Sequence, residues 1–280
     1  MLTTKELREI FHSHQYRPRK SLGQSFLVDD AIRAKILDSS DLQREDIVVE
    51  IGPGFGALTF DLADRVKKVI AVEKDRTISP ILGEMIRESK RSNIELVKGD
   101  ILGFPLEGIA RDRLKVLGNL PYSITTPIIL YLIENKDLIG SIFITLQREF
   151  AQRLLAKPDT SDFGSISCFV QYHTRCSSLF AINRGSFFPL PKVDSSFIRL
   201  DVLGKPSVIV KEEEIFFKVI RASFNQRRKM IANSLSNAGI AGLSKGELVL
   251  ILNRLNIDGR KRAENLSLND FANIANALAG

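Results

Sequence analysis

Asn119-Leu120-Pro121-Tyr122 is a compact turn whose groups can hold an amino group on a flat ring. The side-chain carbonyl of Asn119 can accept one N–H bond. Pro121 has no N–H and a fixed φ, so it aims the main-chain carbonyl of Leu120 at the same amine. Tyr122 offers an aromatic face, and stacking is worth about 1–3 kcal/mol per base. The turn follows the apolar run Lys115-Val116-Leu117-Gly118 and leads into a helix-like segment over residues 127–132. A Pro-Tyr turn after a buried strand is common, so its meaning depends on the residues upstream.

Three further sites precede it. Ile47-Val48-Val49-Glu50-Ile51 reads as a buried strand. Gly52-Pro53-Gly54-Phe55-Gly56 follows, then Ala57-Leu58-Thr59, which can open a helix. Strand, Gly-rich turn, helix begins a nucleotide-binding α/β unit. A second strand, Val69-Ile70-Ala71-Val72, ends in Glu73, 21 positions after Gly52. A spacing of about 20 suits a carboxylate that binds ribose hydroxyls. A third run, Ile94-Glu95-Leu96-Val97, ends in Gly99-Asp100, whose carboxylate can accept from an adenine amino group. Gly52, Glu73, Asp100 and Asn119 thus each close one of four successive strand-like runs. In an open α/β sheet, ligands sit at the carboxyl ends of strands.

The pattern also separates cofactors. A dinucleotide fold spaces its glycines G-x-G-x-x-G to seat a pyrophosphate. Here the spacing is G-x-G-x-G with Pro53 inside. S-adenosylmethionine has no phosphate, one ribose, one adenine and a zwitterionic amino acid, and it makes better use of these groups.

Beyond single sites, the chain resembles the ribosomal RNA small-subunit adenine dimethyltransferase family (KsgA type). The matching residues are Gly23-Gln24-Ser25-Phe26-Leu27, Glu50 through Thr59, Glu73-Lys74-Asp75, Gly99-Asp100 and Gly118 through Thr125. Phe187-Phe188-Pro189-Leu190-Pro191-Lys192-Val193-Asp194-Ser195 and Ser223-Phe224-Asn225-Gln226-Arg227-Arg228-Lys229 complete the set in family order. The last two separate this family from other adenine methyltransferases better than the glycine loop does. The chain departs from the family's usual Asn at Ser25 and at Ser123, and has Thr125 for its Ser.

The resemblance implies that S-adenosylmethionine is bound by Gln24, Ser25, Leu27, Gly52, Gly54, Glu73, Asp100 and Asn119. It implies catalysis by Asn119, Leu120, Pro121 and Tyr122, with Phe187 on the other face of the adenine. The expected substrate is a pair of adjacent adenosines in the hairpin loop near the 3′ end of small-subunit ribosomal RNA, in a nearly assembled subunit. A large-subunit dimethyltransferase of the macrolide-resistance type shares the catalytic turn, but the Phe187–Ser195 stretch argues against it. A ribosome-assembly or transcription factor acting by binding alone would not need an intact Asn119–Tyr122 turn. A nicotinamide dehydrogenase would need a different glycine spacing.

The elements that must position these groups follow from the remaining pattern. At 280 residues with 44% hydrophobic content, the chain suits one large domain plus one small. The expected fold class is α/β: a Rossmann-like methyltransferase with a mostly parallel, seven-stranded, doubly wound sheet and a small C-terminal helical domain. The seven strands, the last antiparallel, come from the resemblance. The expected boundaries are a basic arm at 1–28, the methyltransferase domain at 29–202 and a helical RNA- and ribosome-contacting domain at 203–280. Asp29 or Asp30 can cap a helix to about residue 38. Residues 141–146 and 166–173 read as strands, 148–155 as a helix, 178–193 as a Pro- and Phe-rich loop, and 196–202 as a last strand. Phe217, Ile220, Phe224, Ile231 and Leu235 recur at helical spacing, a core stripe.

Charge is concentrated at the ends. Residues 1–24 carry +3 and residues 203–280 carry +5, leaving −1 of the formal +7 for the body. Clustered cations supply the salt-sensitive part of nucleic-acid binding. Arg17, Arg19 and Lys20, and Arg221, Arg227, Arg228 and Lys229, are the expected RNA contacts. Cys168 and Cys176 form no CxxC and the chain has three histidines, which argues against a disulfide framework or a zinc site. Both cysteines are expected to be buried in or beside strands of a reducing-compartment protein. No run of about 18 apolar residues exists, so no membrane span is expected. Lys5, Glu6, Arg8 and Glu9 with no apolar stretch do not read as a signal peptide. The chain is expected to be a cytoplasmic, metal-free monomer, and the resemblance implies that its partners are the small ribosomal subunit and its RNA.

Overall fold

The structure is a computed structural model and describes residues 3–19, 23–109, 113–121 and 124–279. Along the first part of the chain lie α1 (Thr4–Ser13), β1 (Phe26–Leu27), α2 (Asp30–Ser39), β2 (Ile47–Ile51), α3 (Thr59–Ala63), β3 (Lys68–Glu73), α4 (Ile78–Glu88) and β4 (Ile94–Lys98). Next come β5 (Leu114–Asn119), α5 (Thr125–Glu134), β6 (Ile139–Gln147), α6 (Arg148–Leu155), α7 (Ser165–His173), β7 (Thr174–Ile182), β8 (Phe187–Phe188) and β9 (Ser195–Val202). The last four are α8 (Glu213–Asn225), α9 (Ile231–Asn237), α10 (Lys245–Arg254) and α11 (Leu268–Leu278).

The main sheet has seven strands in the order β4-β3-β2-β5-β6-β9-β7. β4, β3, β2, β5 and β6 are mutually parallel, and β9 runs antiparallel to β6. The α/β class, the seven strands and the antiparallel final strand all match the sequence reading. Parallel strands are covered on both faces, so they read as near-continuous apolar runs. Val48, Val49, Val69, Ala71, Val116 and Ile142 are fully buried accordingly. α2 starts where Asp29 accepts from the amides of Ala31 and Ile32, both at 3.1 Å.

The strand order reverses between β2 and β5, and that is where an open α/β sheet binds its ligand. The register there is tight. Ile51 lies opposite Val72 on one side and Gly118 on the other, and Glu73 lies opposite Lys98. Gly52, Glu73, Asp100 and Asn119 therefore line up along one sheet edge. Gly118 makes this spacing possible: a Cβ there would lie 2.8 Å from the Ile51 carbonyl oxygen.

The chain divides into two compact units, residues 1–151 with 177–202, and residues 152–176 with 203–280. One boundary between the units falls after Val202, and residues 152–176 group with the C-terminal residues rather than with the sheet. Phe163, Cys168 and Tyr172 share one apolar cluster with Phe216, Ile220, Ile231, Leu235, Leu252 and Phe271. The strand expected at 166–173 is instead α7. Its Ile, Phe, Val and Tyr favour strands, yet β propensity gives way to tertiary packing. Ser167 Oγ accepts from the Gly164 amide at 3.0 Å and starts the helix, which buries Cys168, Val170 and Tyr172. Cys168 thus lies in a helix, while Cys176 lies in β7. Within the expected loop at 178–193, residues 178–182 belong to β7, and 187–188 form β8, which pairs antiparallel with β1. The arm expected at 1–28 contributes α1 and β1 to the first unit.

Candidate active site

A cavity at the reversal point lies within the first unit. It is lined by Gly23–Leu27, the β2 end with its glycine loop, Glu73–Asp75, Gly99–Ile101, Asn119–Pro121 and Phe187. Gln24, Ser25, Leu27, Gly52, Gly54, Glu73, Asp100, Asn119, Leu120, Pro121 and Phe187 are thus brought together around one cavity. Tyr122 and Ser123 lie outside the described residues, as does Lys20.

The glycine loop is built around Glu73. The Gly54 amide donates to Glu73 Oε2 at 2.9 Å, and the Asp75 amide to Oε1 at 2.7 Å. Gly54 has φ +58° and its missing Cβ would lie 2.9 Å from the Phe26 ring, so only glycine fits. Burial pushes the Glu73 carboxyl up against the pull of these amides. Asp100 lies at the next strand end. Burial opposes its charge, but the Lys74 ammonium and the Leu102 amide hold its carboxyl below the usual range.

Two acids that sequence reasoning passed over also line the cavity. Glu50 lies inside β2, 2% exposed, and accepts from Thr59 Oγ1 at 2.6 Å. A lone acid in a strand of β-branched residues was the available signal. Asp75 accepts from Gln24 Nε2 at 2.7 Å and from the Thr77 amide at 2.8 Å. Gln24 Oε1 in turn accepts from the Tyr16 hydroxyl and the Arg19 amide. The Gln24 carboxamide is therefore engaged in holding the arm to the turn after β3.

Burial raises Glu50 most, the Thr59 hydroxyl pulls it back, and the Glu73 charge adds to the rise, giving a pKa of about 8. A raised acid holds its proton more tightly in the folded state. Its stabilising contribution is complete below pH 4.5, the ordinary value, and is lost as pH climbs through about 8. Glu50→Gln cannot ionise. Its melting temperature relative to wild type is expected to rise steadily between about pH 5 and pH 8.5. Thermal melts of both proteins across that range check this, and parallel pH profiles would refute it.

At the fourth strand end, Asn119 Nδ2 donates to the Ser25 carbonyl at 3.0 Å. That bond leaves the carboxamide oxygen as the end facing away from Ser25. The Leu120 amide donates to the Thr145 carbonyl at 3.0 Å, which ties the turn to β6. The Pro121 carbonyl accepts from Thr125 Oγ1 and the Ile124 amide, both at 3.1 Å, and so leads into α5. Phe187 pairs with Leu27 across the β1–β8 ladder and is 5% exposed. The Ser25 hydroxyl, expected at the cofactor, donates to the Pro189 carbonyl at 2.6 Å.

The cations expected to meet RNA divide into two kinds. Arg17, Arg221, Arg228 and Lys229 are exposed. Arg19 donates to Thr77 Oγ1 at 3.2 Å and sits 3.8 Å from Asp75, so it fastens the arm. Arg227 donates to the carbonyls of Ser161 and Phe163 and pairs with Glu264, all within the second unit. Among the described residues no group of three or more His, Cys, Asp or Glu could hold a metal ion, and no helix is long and apolar enough to cross a membrane.

Glu73, Asp75 and Asp100, with Glu50 held in its protonated form by burial at neutral pH, line a cavity in which Lys74 is the one Lys or Arg among the described lining residues. A pyrophosphate would be repelled there, and a cation attracted. With that lining at its reversal point, this sheet has the architecture of a Rossmann-like methyltransferase rather than of a dinucleotide-binding enzyme. Comparison with known proteins narrows the class. The chain belongs to the ribosomal RNA adenine dimethylase family, whose model matches residues 15–280. It is 41% identical to the ribosomal RNA small subunit methyltransferase A of Pelotomaculum thermopropionicum, over 97% of this chain and 95% of the relative. A dimethyladenosine transferase from Plasmodium falciparum superposes with TM-score 0.77 at 26% identity, covering 89% of this chain and 95% of the other. The 23S rRNA methyltransferase ErmE gives TM-score 0.70 at 25% identity, covering 91% of this chain and all of the other.

Proposed function

We propose that this protein transfers methyl groups from S-adenosylmethionine to the N6 amines of two adjacent adenosines in the 3′-terminal hairpin loop of small-subunit ribosomal RNA, yielding N6,N6-dimethyladenosine late in subunit assembly. The observation that carries the reading is the orientation of Asn119: its nitrogen faces Ser25, so its oxygen is left to accept from an amine at the end of β5. The full-length relatives at about 40% identity that carry the small-subunit name favour this substrate over a large-subunit one.

The residues fit the cofactor. Gly52 and Gly54 both have positive φ and bring bare backbone to the cavity. Glu73 is assigned to the ribose hydroxyls and Asp100 to the adenine amino group. S-adenosylmethionine, when bound, supplies a methyl group on a positively charged sulfur. The acidic lining attracts that charge.

The chain's own work is positioning and electrostatics. A base within a stack cannot present N6 to a recessed site, so the adenosine is turned out of the RNA. Asn119 Oδ1 and the Leu120 carbonyl accept from the two N6 hydrogens and draw the nitrogen lone pair out of the ring's conjugation. Tyr122 and Phe187 are the rings assigned to the two faces of the base. The methylated nitrogen carries positive charge and loses a proton to water. A monomethylated amine still has one N–H to donate, so a second transfer uses one of the same acceptors. The exposed Arg17, Arg221, Arg228 and Lys229 are assigned to RNA phosphates, in a monomeric cytoplasmic protein.

The test is transfer of labelled methyl to isolated small and large ribosomal subunits that lack these methylations. Label on small-subunit RNA that digests to N6,N6-dimethyladenosine is the expected result. Label confined to the large subunit, or cofactor binding with no transfer to either, would overturn the reading.

A further inference from the structure

Ser25 joins two parts of the site. Its hydroxyl donates to the Pro189 carbonyl at 2.6 Å, and its own carbonyl accepts from Asn119 Nδ2 at 3.0 Å. A main-chain carbonyl has no proton to give, so the carboxamide end that faces it must be the nitrogen. Rotated by half a turn, Asn119 would set oxygen against oxygen. The terminal torsion of asparagine is broad and two-fold, and shape alone does not choose between its ends. The Ser25 carbonyl makes that choice.

The flanking residues are held separately. Gln24 is fastened to Asp75 at 2.7 Å, while Phe26 and Leu27 are laddered to Phe188 and Phe187. The grip of the Ser25 side chain on Pro189 adds a further anchor at the residue between them. The single hydroxyl proton of Ser25 is committed to that grip.

We propose that Ser25 is a positioning residue: by holding Pro189 through its side chain and Asn119 through its backbone, it fixes the Asn119 carboxamide with the oxygen turned to the target amine. This rests on the reading of Asn119 as the amine acceptor. Ser25 then acts through Asn119 and not through the cofactor.

Two measurements on the full-length protein test it. In ligand-free protein labelled with nitrogen-15 at asparagine, Asn119→Ala assigns the Asn119 side-chain resonance. One of its two Nδ2 protons is expected to be protected from solvent exchange in the wild type. Ser25→Ala is expected to cut that protection at least about fivefold, and Ser25→Thr to keep it. In methyl transfer, Ser25→Ala is expected to lower kcat about tenfold with the KM for cofactor within about twofold, and Ser25→Thr to restore kcat. Ser25→Cys, a weaker donor of similar size, should fall between and serves if the alanine variant does not fold.

Unchanged protection in Ser25→Ala would overturn the proposal. So would a KM for cofactor raised about tenfold at constant kcat, the mark of a direct cofactor contact. If the wild type methylates neither subunit, the functional reading fails, while the exchange measurement still decides whether Ser25 holds Asn119.

Discussion

Asn119→Ala is expected to lower methyl transfer to small-subunit RNA by about 10²–10³-fold in single turnovers at saturating cofactor. Removing the side chain deletes one of the two acceptors proposed for the target nitrogen. The remaining Leu120 carbonyl can hold the amine, but it cannot alone keep the lone pair out of the ring's conjugation. Because a carboxamide of this kind is felt most as charge develops on the nitrogen, the loss should fall on kcat and on kcat/KM alike. Leu120 keeps its place through the Thr145 carbonyl, so the turn itself should survive. Asn119→Asp separates geometry from charge: it keeps an acceptor oxygen but turns a second oxygen toward the Ser25 carbonyl. It too should be strongly impaired. Single-turnover methylation with matched calorimetric titration of the cofactor checks both variants. A weakened cofactor with unchanged single-turnover rate would show that Asn119 serves binding alone.

Glu73→Ala is expected to weaken S-adenosylmethionine binding at least about 100-fold and to lower the melting temperature. Glu73 is placed to do two jobs. Its carboxylate lines the cavity and is the group proposed for the ribose, and it accepts from the Gly54 and Asp75 amides at 2.9 and 2.7 Å. Without it, two donors in a buried corner lose their partner, at about 1–3 kcal/mol each. The glycine loop and the turn after β3 would loosen together. Glu73→Gln keeps one acceptor oxygen and should lie between alanine and wild type. Titration with the demethylated product of the cofactor, S-adenosylhomocysteine, measures the affinity without turnover. Binding unchanged in Glu73→Ala would remove the ribose assignment.

Which parts of this site were legible in the sequence follows from their range along the chain. The four strand ends could be read because buried parallel strands are written as short apolar runs, and each run stops at a glycine or a polar residue. Glu50 was not legible as a site residue because one acid inside Ile47–Ile51 does not disturb the apolar run. Its role depends on Thr59 and on the burial of the whole strand. α7 was misread because Ile166, Phe169, Val170 and Tyr172 are good strand formers, and the packing that makes them helical comes from the cluster of α8, α9 and α11. The contacts of Gln24 and Ser25 reach partners 51 and 164 positions away, which no local pattern encodes. Arg19 and Arg227 read as free cations for the same reason: Thr77, Asp75, Ser161 and Glu264 are distant in sequence.

The placement of β9 between β6 and β7 governs the order in which the ribosome's own product can assemble. Domains take shape during synthesis from the N-terminal end. A nascent chain cut off before Ser195 has every parallel strand but lacks the one that lies between β6 and β7. β6 would then present an open edge, the kind of edge that invites wrong pairing. The second unit waits longer still: Phe163, Cys168 and Tyr172 emerge early, yet their cluster includes Phe271 and Ala275, near the end of the chain. Shortening the protein from its C-terminus would therefore remove more than a binding appendage, because it would strip the apolar partners from a segment translated some hundred residues before.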